Sequence, residues 1–265
     1  YKKSVRTRRL RLLASYAGDW RVALSIDAHY RLFIALQKIE GYRRRFSLDD
    51  ESIQYPFAEH ERVPDWLLIV IVVVAPIVLI PIIDLITVRS VYDVHNAELG
   101  LILSLALTGA ITNVFKVTAG RPRPDLINRC LPAQGSQNPA VYGLVDYTIC
   151  TQTDNGILQD GFRSLISGHA SLSFAGLGFL SYYLCGKLHL WDERGHTGKA
   201  WLAVTPFIGS TLIAITRTMD FRHHATDVLF GALLGSIVSY FCYRQYFPTL
   251  TSPHSHLPFA PRLPE

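Results

Sequence analysis

Three separated polar clusters hold the residues of this chain that could do chemistry. The first runs Lys116-Val-Thr-Ala-Gly-Arg-Pro-Arg123-Pro124, the second is Ser167-Gly168-His169, and the third runs from Arg217 through His223 to Asp227. Together they supply cations, imidazoles, a hydroxyl and a carboxylate. That inventory can hold a phosphate, attack it and release an alcohol or a second phosphate. His223 and Asp227 are four residues apart, so on one helical turn they share a face. A carboxylate accepting from one imidazole nitrogen fixes the tautomer and frees the other nitrogen to attack. His223 is therefore the expected nucleophile, with Asp227 orienting it. Gly168 admits close backbone approach, and Ser167 with helix-start N–H groups favours an anion. His169 is placed to protonate a leaving oxygen as general acid. Lys116, Arg123 and Arg217 are cationic donors for the equatorial oxygens of a phosphoryl group in transfer, and Arg suits bidentate contact. Singly, each cluster has a plainer reading: a helix-start Asp beside a loop His, a capping Ser, or basic side chains snorkelling at membrane edges. His224 is read as non-catalytic. Ser-His-Asp acyl transfer is disfavoured, because Ser167 lacks a nucleophile-elbow context.

The clusters flank long apolar segments, and those segments must bring them together. Of 265 residues, 49% are hydrophobic and 18% charged, with mean hydropathy +0.20; a soluble domain is typically about 25% charged. Charge crowds into 1–12, 41–65, 120–129 and 191–199. Segments 66–87, 99–117, 170–190, 200–215 and 228–247 read as spanning helices, each near the roughly 20 residues a bilayer requires. Pro76 and Pro81 are expected kinks. The small residues of 170–190, and Gly231 with Gly235, offer faces for close helix packing. A sixth segment, 20–39, carries Arg21, Asp27, His29 and Arg31, and a charge at a span centre costs about 2.5–3.5 kcal/mol. It is either a span whose charges face partners or an interfacial helix. Topology favours the span: with the basic N-terminus inside and six crossings, all three clusters fall on the non-cytoplasmic face. With five, they still converge, but on the side of the N-terminus.

Net charge is +5, but no basic face with interleaved aromatics appears, which excludes nucleic acid as the partner. Lys2, Lys3, Arg6, Arg8, Arg9 and Arg11 read as a cytoplasmic anchor near anionic lipid. No signal-peptide pattern follows them. Cys185 and Cys242 lie in apolar segments and are read as packing residues. Cys130 and Cys150 lie in the long polar loop and are expected to pair if it faces an oxidising compartment; the alternative is two free thiols. No zinc-ligand spacing is present. The expected organisation is a basic segment 1–19, a membrane domain 20–247 with a long non-cytoplasmic loop 120–167, and a Pro-, Ser- and His-rich tail 248–265 that reads as disordered. A loop of that length is functional or partly structured.

The three clusters resemble the patterns KxxxxxxRP, PSGH and SRxxxxxHxxxD of the type 2 phosphatidate phosphatase superfamily, the lipid phosphate phosphatases. They stand here as Lys116–Pro124, Ile166-Ser167-Gly168-His169, and Thr216-Arg217 through His223 to Asp227. Ile166 replaces the family Pro, and Thr216 replaces the Ser while keeping a hydroxyl. Phe46-Ser-Leu, Ile53-Gln-Tyr-Pro-Phe and Asp160-Gly-Phe-Arg163-Ser164 further resemble the fungal diacylglycerol pyrophosphate phosphatase branch. The resemblance covers about 46–247. It implies an all-α polytopic membrane protein with about six transmembrane helices, its core helices similar to the acid phosphatase and vanadium haloperoxidase bundle. It implies attack by His223 to give a phosphohistidine. His169 acts first as acid and then as base, and Asp227 orients His223. Lys116, Arg123, Ser167, Gly168 and Arg217 bind the phosphate. Cationic side chains replace a metal, so no cofactor or Mg²⁺ is expected. Implied substrates are diacylglycerol pyrophosphate, phosphatidate and lysophosphatidate at the non-cytoplasmic leaflet of the vacuole, Golgi/ER or plasma membrane; a homo-oligomer is allowed. Rival readings are a sphingoid-base or polyprenyl phosphate phosphatase of the same fold, and a catalytically silent lipid-phosphate-binding protein. The silent protein should lack one of the two His or the Asp, and all are present. A haloperoxidase is disfavoured by the spans. A transporter is disfavoured because the polar groups sit at span ends.

Overall fold

The computed structural model describes residues 38–195 and 197–260, together with Leu24, Asp27, Ala28, Arg31, Leu32 and 34–36. The basic segment 1–19 lies outside the described residues, as does much of 20–39. Within the latter, Arg31 pairs with Asp27 one turn earlier on an exposed face.

Among the described residues, five long helices form the body. They are α1 (Asp65–Ile86), α2 (Val91–Ala119), α5 (Gly168–Lys187), α6 (Thr197–Met219) and α7 (Ala225–Tyr246). Two short helices, α3 (Leu126–Cys130) and α4 (Asn155–Gly161), lie in the loop between α2 and α5. Helices α1, α2, α6 and α7 are long and apolar enough to cross a membrane. Their outer faces present exposed Leu85, Leu212, Leu229, Phe230 and Ile237, which suits a surface solvated by lipid rather than water.

Helix α5 is the central post, buried along fourteen of its twenty residues and flanked by α2, α6 and α7. Its small residues let neighbouring backbones touch it. A Cβ on Gly235 of α7 would stand 2.3 Å from the Ser171 carbonyl oxygen, so only glycine permits this approach. Buried hydroxyls are matched within the bundle: Ser171 bonds Thr112 at 2.8 Å, and Ser210 donates to the Ser173 carbonyl at 3.0 Å. In α1 the chain takes a π-helical turn over Val70–Val74, just before Pro76. Proline has no N–H to give the Val72 carbonyl, and that carbonyl instead lies where a Cβ on Gly176 would sit 2.3 Å away.

Two boundaries differ from the expectation. Helix α2 starts at Val91 rather than 99, because Asp93, which apolarity alone would exclude, is fully buried against partners on α5. The Tyr183 hydroxyl donates to it at 2.6 Å, and Lys187 forms an ion pair with it. The tail is the second correction. Composition pointed to disorder from 248, yet 248–260 folds back over the end of the bundle remote from the clusters. Ser255 is buried and donates to the Gly186 carbonyl at 3.2 Å. Lys187 donates to the His256 carbonyl, and the Phe259 N–H donates to the Tyr246 carbonyl at 2.9 Å. Backbone and polar contacts hold this segment, and a hydropathy argument does not register them.

At the other end, residues 40–64 and 120–167 build a cap. Phe46, Ile53, Leu126, Val145, Leu158 and Phe162 form its core. Phe46 and Val145 exchange backbone hydrogen bonds at 3.2 and 2.8 Å. A disulfide joins Cys130 to Cys150.

Candidate active site

The cluster residues lie at one end of the bundle, beneath the cap. Lys116 is in the last turn of α2, Ser167 caps α5, Arg217 is in the last turn of α6, and Asp227 is in the first turn of α7. Helix α2 stops at Gly120, whose φ of 57° is left-handed and whose Cβ would meet the Tyr42 carbonyl oxygen at 2.3 Å. Glycine alone fits that C-cap. The turn sends Arg123 back over the site, fixed by its N–H donating to the Gly161 carbonyl at 2.8 Å.

Lys116 and Gly168 meet directly: the ammonium lies 3.2 Å from the position a Cβ would take on Gly168. A side chain there would push the ammonium off the N-terminus of α5. Buried Arg123 donates to Asp160 at 2.7 Å, and Arg129 donates to the same carboxylate at 2.9 Å. Burial opposes the charge on Asp160, but Arg123, then Arg129, Lys116 and Arg222 outweigh it and hold the carboxyl at about 2. The Nε of Arg123 is buried without a protein partner, a free donor beside the site. Arg217 is bound by Glu61 at 2.6 Å and by Asp220 at 3.0 Å, while Arg222 takes the other Glu61 oxygen at 2.9 Å. Each of these arginines is thus held by a carboxylate.

His223 is 4% exposed, and its Nδ1 lies 2.7 Å from the Ser164 carbonyl oxygen. A carbonyl only accepts, so Nδ1 carries the proton and Nε2 keeps its lone pair. Burial, then Arg123 and Lys116, with a smaller contribution from His169, hold this imidazole well below the usual histidine range, against the pull of the Ser164 carbonyl. The ring is neutral at physiological pH, as a nucleophile must be. His169 Nε2 stands 2.9 Å from the Val63 carbonyl oxygen, 3.6 Å from Asp65 and 3.9 Å from Glu61. By the same argument Nε2 carries its proton there, at the rim of the site.

Asp227 departs from the expectation. It makes no hydrogen bond to the His223 ring, whose Nδ1 goes to the Ser164 carbonyl. Its carboxylate accepts from Arg121 at 2.6 Å, the Ser164 hydroxyl at 2.6 Å and the His224 N–H at 3.3 Å. The i,i+4 argument assumed one helix, but α7 begins at Ala225. His223 precedes the helical register, and its ring reaches the Ser164 carbonyl instead. Ser167 accepts from the Ala170 N–H at 3.4 Å as N-cap. Its own N–H donates to the Asp227 carbonyl at 3.2 Å, tying the second cluster to the third.

Glu61, Asp65 and His169 place ligand atoms within 4.8 Å of one another, a spacing a cation could use. Two of the three are already committed. Arg217 and Arg222 neutralise Glu61, and the His169 Nε2 proton faces Val63.

Glu61, Asp160 and Asp220, which neutralise the site arginines, went unrecognised as site residues in the sequence, as did Arg121 and Ser164. Glu61, Asp160, Arg121 and Ser164 act across long sequence separations that no local spacing marks, whereas Asp220 pairs with Arg217 at i,i+3, a spacing that could have found it. Asp160 and Ser164 do sit in the stretch whose resemblance to the fungal branch was noted.

Residues 97–250 match the PAP2 superfamily. The chain is 35% identical over 258 residues to lipid phosphate phosphatase 2 of Arabidopsis thaliana, covering 97% of this chain and 86% of that protein. It is 38% identical over 225 residues to diacylglycerol pyrophosphate phosphatase 1 of Saccharomyces cerevisiae, covering 84% and 76%. It is 36% identical over 242 residues to a probable diacylglycerol pyrophosphate phosphatase 1 of Schizosaccharomyces pombe, covering 91% and 85%. No solved structure matches it. With a neutral histidine set among two cluster cations at the bundle end, and these relatives sharing most of its length, the chain belongs to the PAP2 superfamily.

Proposed function

We propose that this protein is a metal-independent lipid phosphate phosphatase working through a phosphohistidine on His223, with diacylglycerol pyrophosphate, phosphatidate and lysophosphatidate as substrates. The observation that carries this reading is the His223 tautomer: Nδ1–H on the Ser164 carbonyl leaves an unprotonated Nε2 on a ring that burial, Arg123 and Lys116 keep neutral. Nε2 attacks phosphorus and forms the P–N bond as the P–O bond to the lipid breaks. Beside the bound phosphate dianion His169 takes up a second proton, and this imidazolium gives one proton to the departing oxygen and is left neutral. Water then attacks phosphorus and loses its proton to His169, the P–N bond breaks, and inorganic phosphate leaves. Lys116, Arg123 and Arg217, with the N-terminus of α5 around Ser167 and Gly168, stabilise the charge on the equatorial oxygens. A dianionic phosphate has the charge to displace Asp160 and Glu61 from the arginines they hold.

In this reading the site opens at the non-cytoplasmic leaflet. The disulfide in the cap supports that side. The names of the relatives support the lipid class.

The test is phosphate release from diacylglycerol pyrophosphate and phosphatidate in detergent micelles with EDTA, wild type beside His223→Ala. Release that survives EDTA and vanishes in the variant is expected. Full release by His223→Ala would remove the nucleophile assignment, and loss under EDTA would remove the metal-independent one.

A further inference from the structure

We infer that Ser164 is the residue that positions the nucleophile, and that Asp227 and Arg121 act on the His223 ring through it. This rests on the reading of His223 as the attacking group. Ser164 is fully buried and held at three points. Its carbonyl accepts His223 Nδ1–H at 2.7 Å, its hydroxyl donates to Asp227 Oδ2 at 2.6 Å, and its N–H donates to the Arg121 carbonyl at 3.1 Å. Asp227, with no exposed surface, is held in turn by Arg121, whose guanidinium donates to Oδ1 at 2.6 Å and to the Thr226 hydroxyl at 2.9 Å. Arg121 lies within the first cluster but is spent on Asp227 rather than on phosphate.

The order of contacts is Arg121, Asp227, Ser164, His223, and each link is a hydrogen bond of 2.9 Å or less. The serine hydroxyl sets where its own carbonyl points, and the carbonyl sets the ring. A carbonyl fixes the tautomer as well as a carboxylate would, but it brings no charge to the ring. The phosphoimidazolium therefore gains less from it than from a directly bonded carboxylate, which keeps the P–N bond open to water. Asp227 and Ser164 stand in series, so losing either one releases the same constraint.

The test uses the full chain in detergent micelles with phosphatidate, comparing Ser164→Ala, Asp227→Asn, their double variant, Ser164→Thr and Arg121→Gln. Misplacing a reacting group by about 1 Å costs on the order of 100-fold in rate. Ser164→Ala should therefore lose about that factor in kcat, with KM within about twofold. Inorganic phosphate should inhibit all variants as it does wild type, because Lys116, Arg123 and Arg217 are untouched. The double variant should be no slower than the slower single, as residues acting in series are not additive. Ser164→Thr, which restores the hydroxyl, should recover most of the rate. Arg121 is partly exposed, so Arg121→Gln probes the chain of contacts without disturbing the core; it should lower kcat at unchanged KM. A Ser164→Ala enzyme within about threefold of wild type, multiplicative losses in the double variant, or an unaltered Arg121→Gln would each overturn the inference. If Ser164→Ala fails to fold, the Arg121→Gln result decides. Activity in His223→Ala in the same assay would sink the nucleophile reading itself, whereas an inactive His223→Ala beside a fully active Ser164→Ala sinks only the role of Ser164.

Discussion

Replacing Asp93 by Asn should destabilise the protein sharply without touching its chemistry. The side chains of Lys187 and Asp93 are 1% and 0% exposed, so water cannot take the place of either partner. Breaking a buried pair on one side costs about 3–5 kcal/mol, because it strands the other charge. The remaining contacts of Lys187 are the His256 carbonyl and the rings of Tyr183 and Phe247, at 4.8 and 5.3 Å. They offset part of the loss and argue for the lower half of that range. At roughly 2–4 °C per kcal/mol for a chain of this size, melting in detergent should fall by about 6–16 °C. Adding Lys187→Met should recover much of the fall, since no charge is then left buried. The pair sits a full helix length from Gly168, about 30 Å at the helical rise per residue. Turnover per folded molecule below the melting point should therefore match wild type. A melting shift under about 3 °C, or no recovery in the double variant, would refute the claim that a stranded charge is responsible. Loss of turnover in protein that remains folded would refute the separation of this end from the site.

Three further outcomes follow from the same structure. Cys130 and Cys150 are separated by 20 residues, and closing a loop of that size contributes about 3 kcal/mol. Cys130→Ser, or wild type under reductant, should show a cap cleaved faster by protease, and equal protease resistance would contradict this. Gly235→Ala places a carbon 2.3 Å from the Ser171 carbonyl and should cost at least about 1–3 kcal/mol, read as a lower melting temperature; unchanged melting would mean α5 and α7 can move apart freely. His223 is held neutral in the folded state, whereas the unfolded imidazole protonates near pH 6.5. Below that value the unfolded chain binds one more proton, so stability falls with falling pH. Wild type should lose about 1.4 kcal/mol per pH unit relative to His223→Gln from about 6.5 downward, until the folded ring itself takes up its proton. Parallel stability curves for the two proteins would show that His223 is not held neutral.

How much of this was legible beforehand varies from residue to residue. Helices α1, α5, α6 and α7 stood out because apolar runs of spanning length need no partner to be recognised. The first eight residues of α2 did not, since Asp93 looks costly until Lys187 and Tyr183 are seen beside it. The tail looked unstructured because Ser255 and His256 are held by hydroxyl and carbonyl contacts that hydropathy does not weigh. The pairing of His223 with Asp227 failed for a local reason: a four-residue spacing implies a shared face only within a helix, and α7 begins between the two.

Motif spacing and hydropathy are properties of neighbouring residues. By themselves they determined that this chain is an all-α membrane protein, that its polar clusters lie at the ends of apolar helices, and which lysine, arginines and histidines could bind and attack a phosphate. Which atom fixes the His223 tautomer, and which carboxylates occupy the arginines, was decided only by the tertiary structure. His223 and Ser164 are 59 residues apart, Asp227 and Arg121 are 106, and Arg217 and Glu61 are 156. A hydrogen bond is set by positions to within a few tenths of an ångström, and across such separations those positions exist only once the helices have packed.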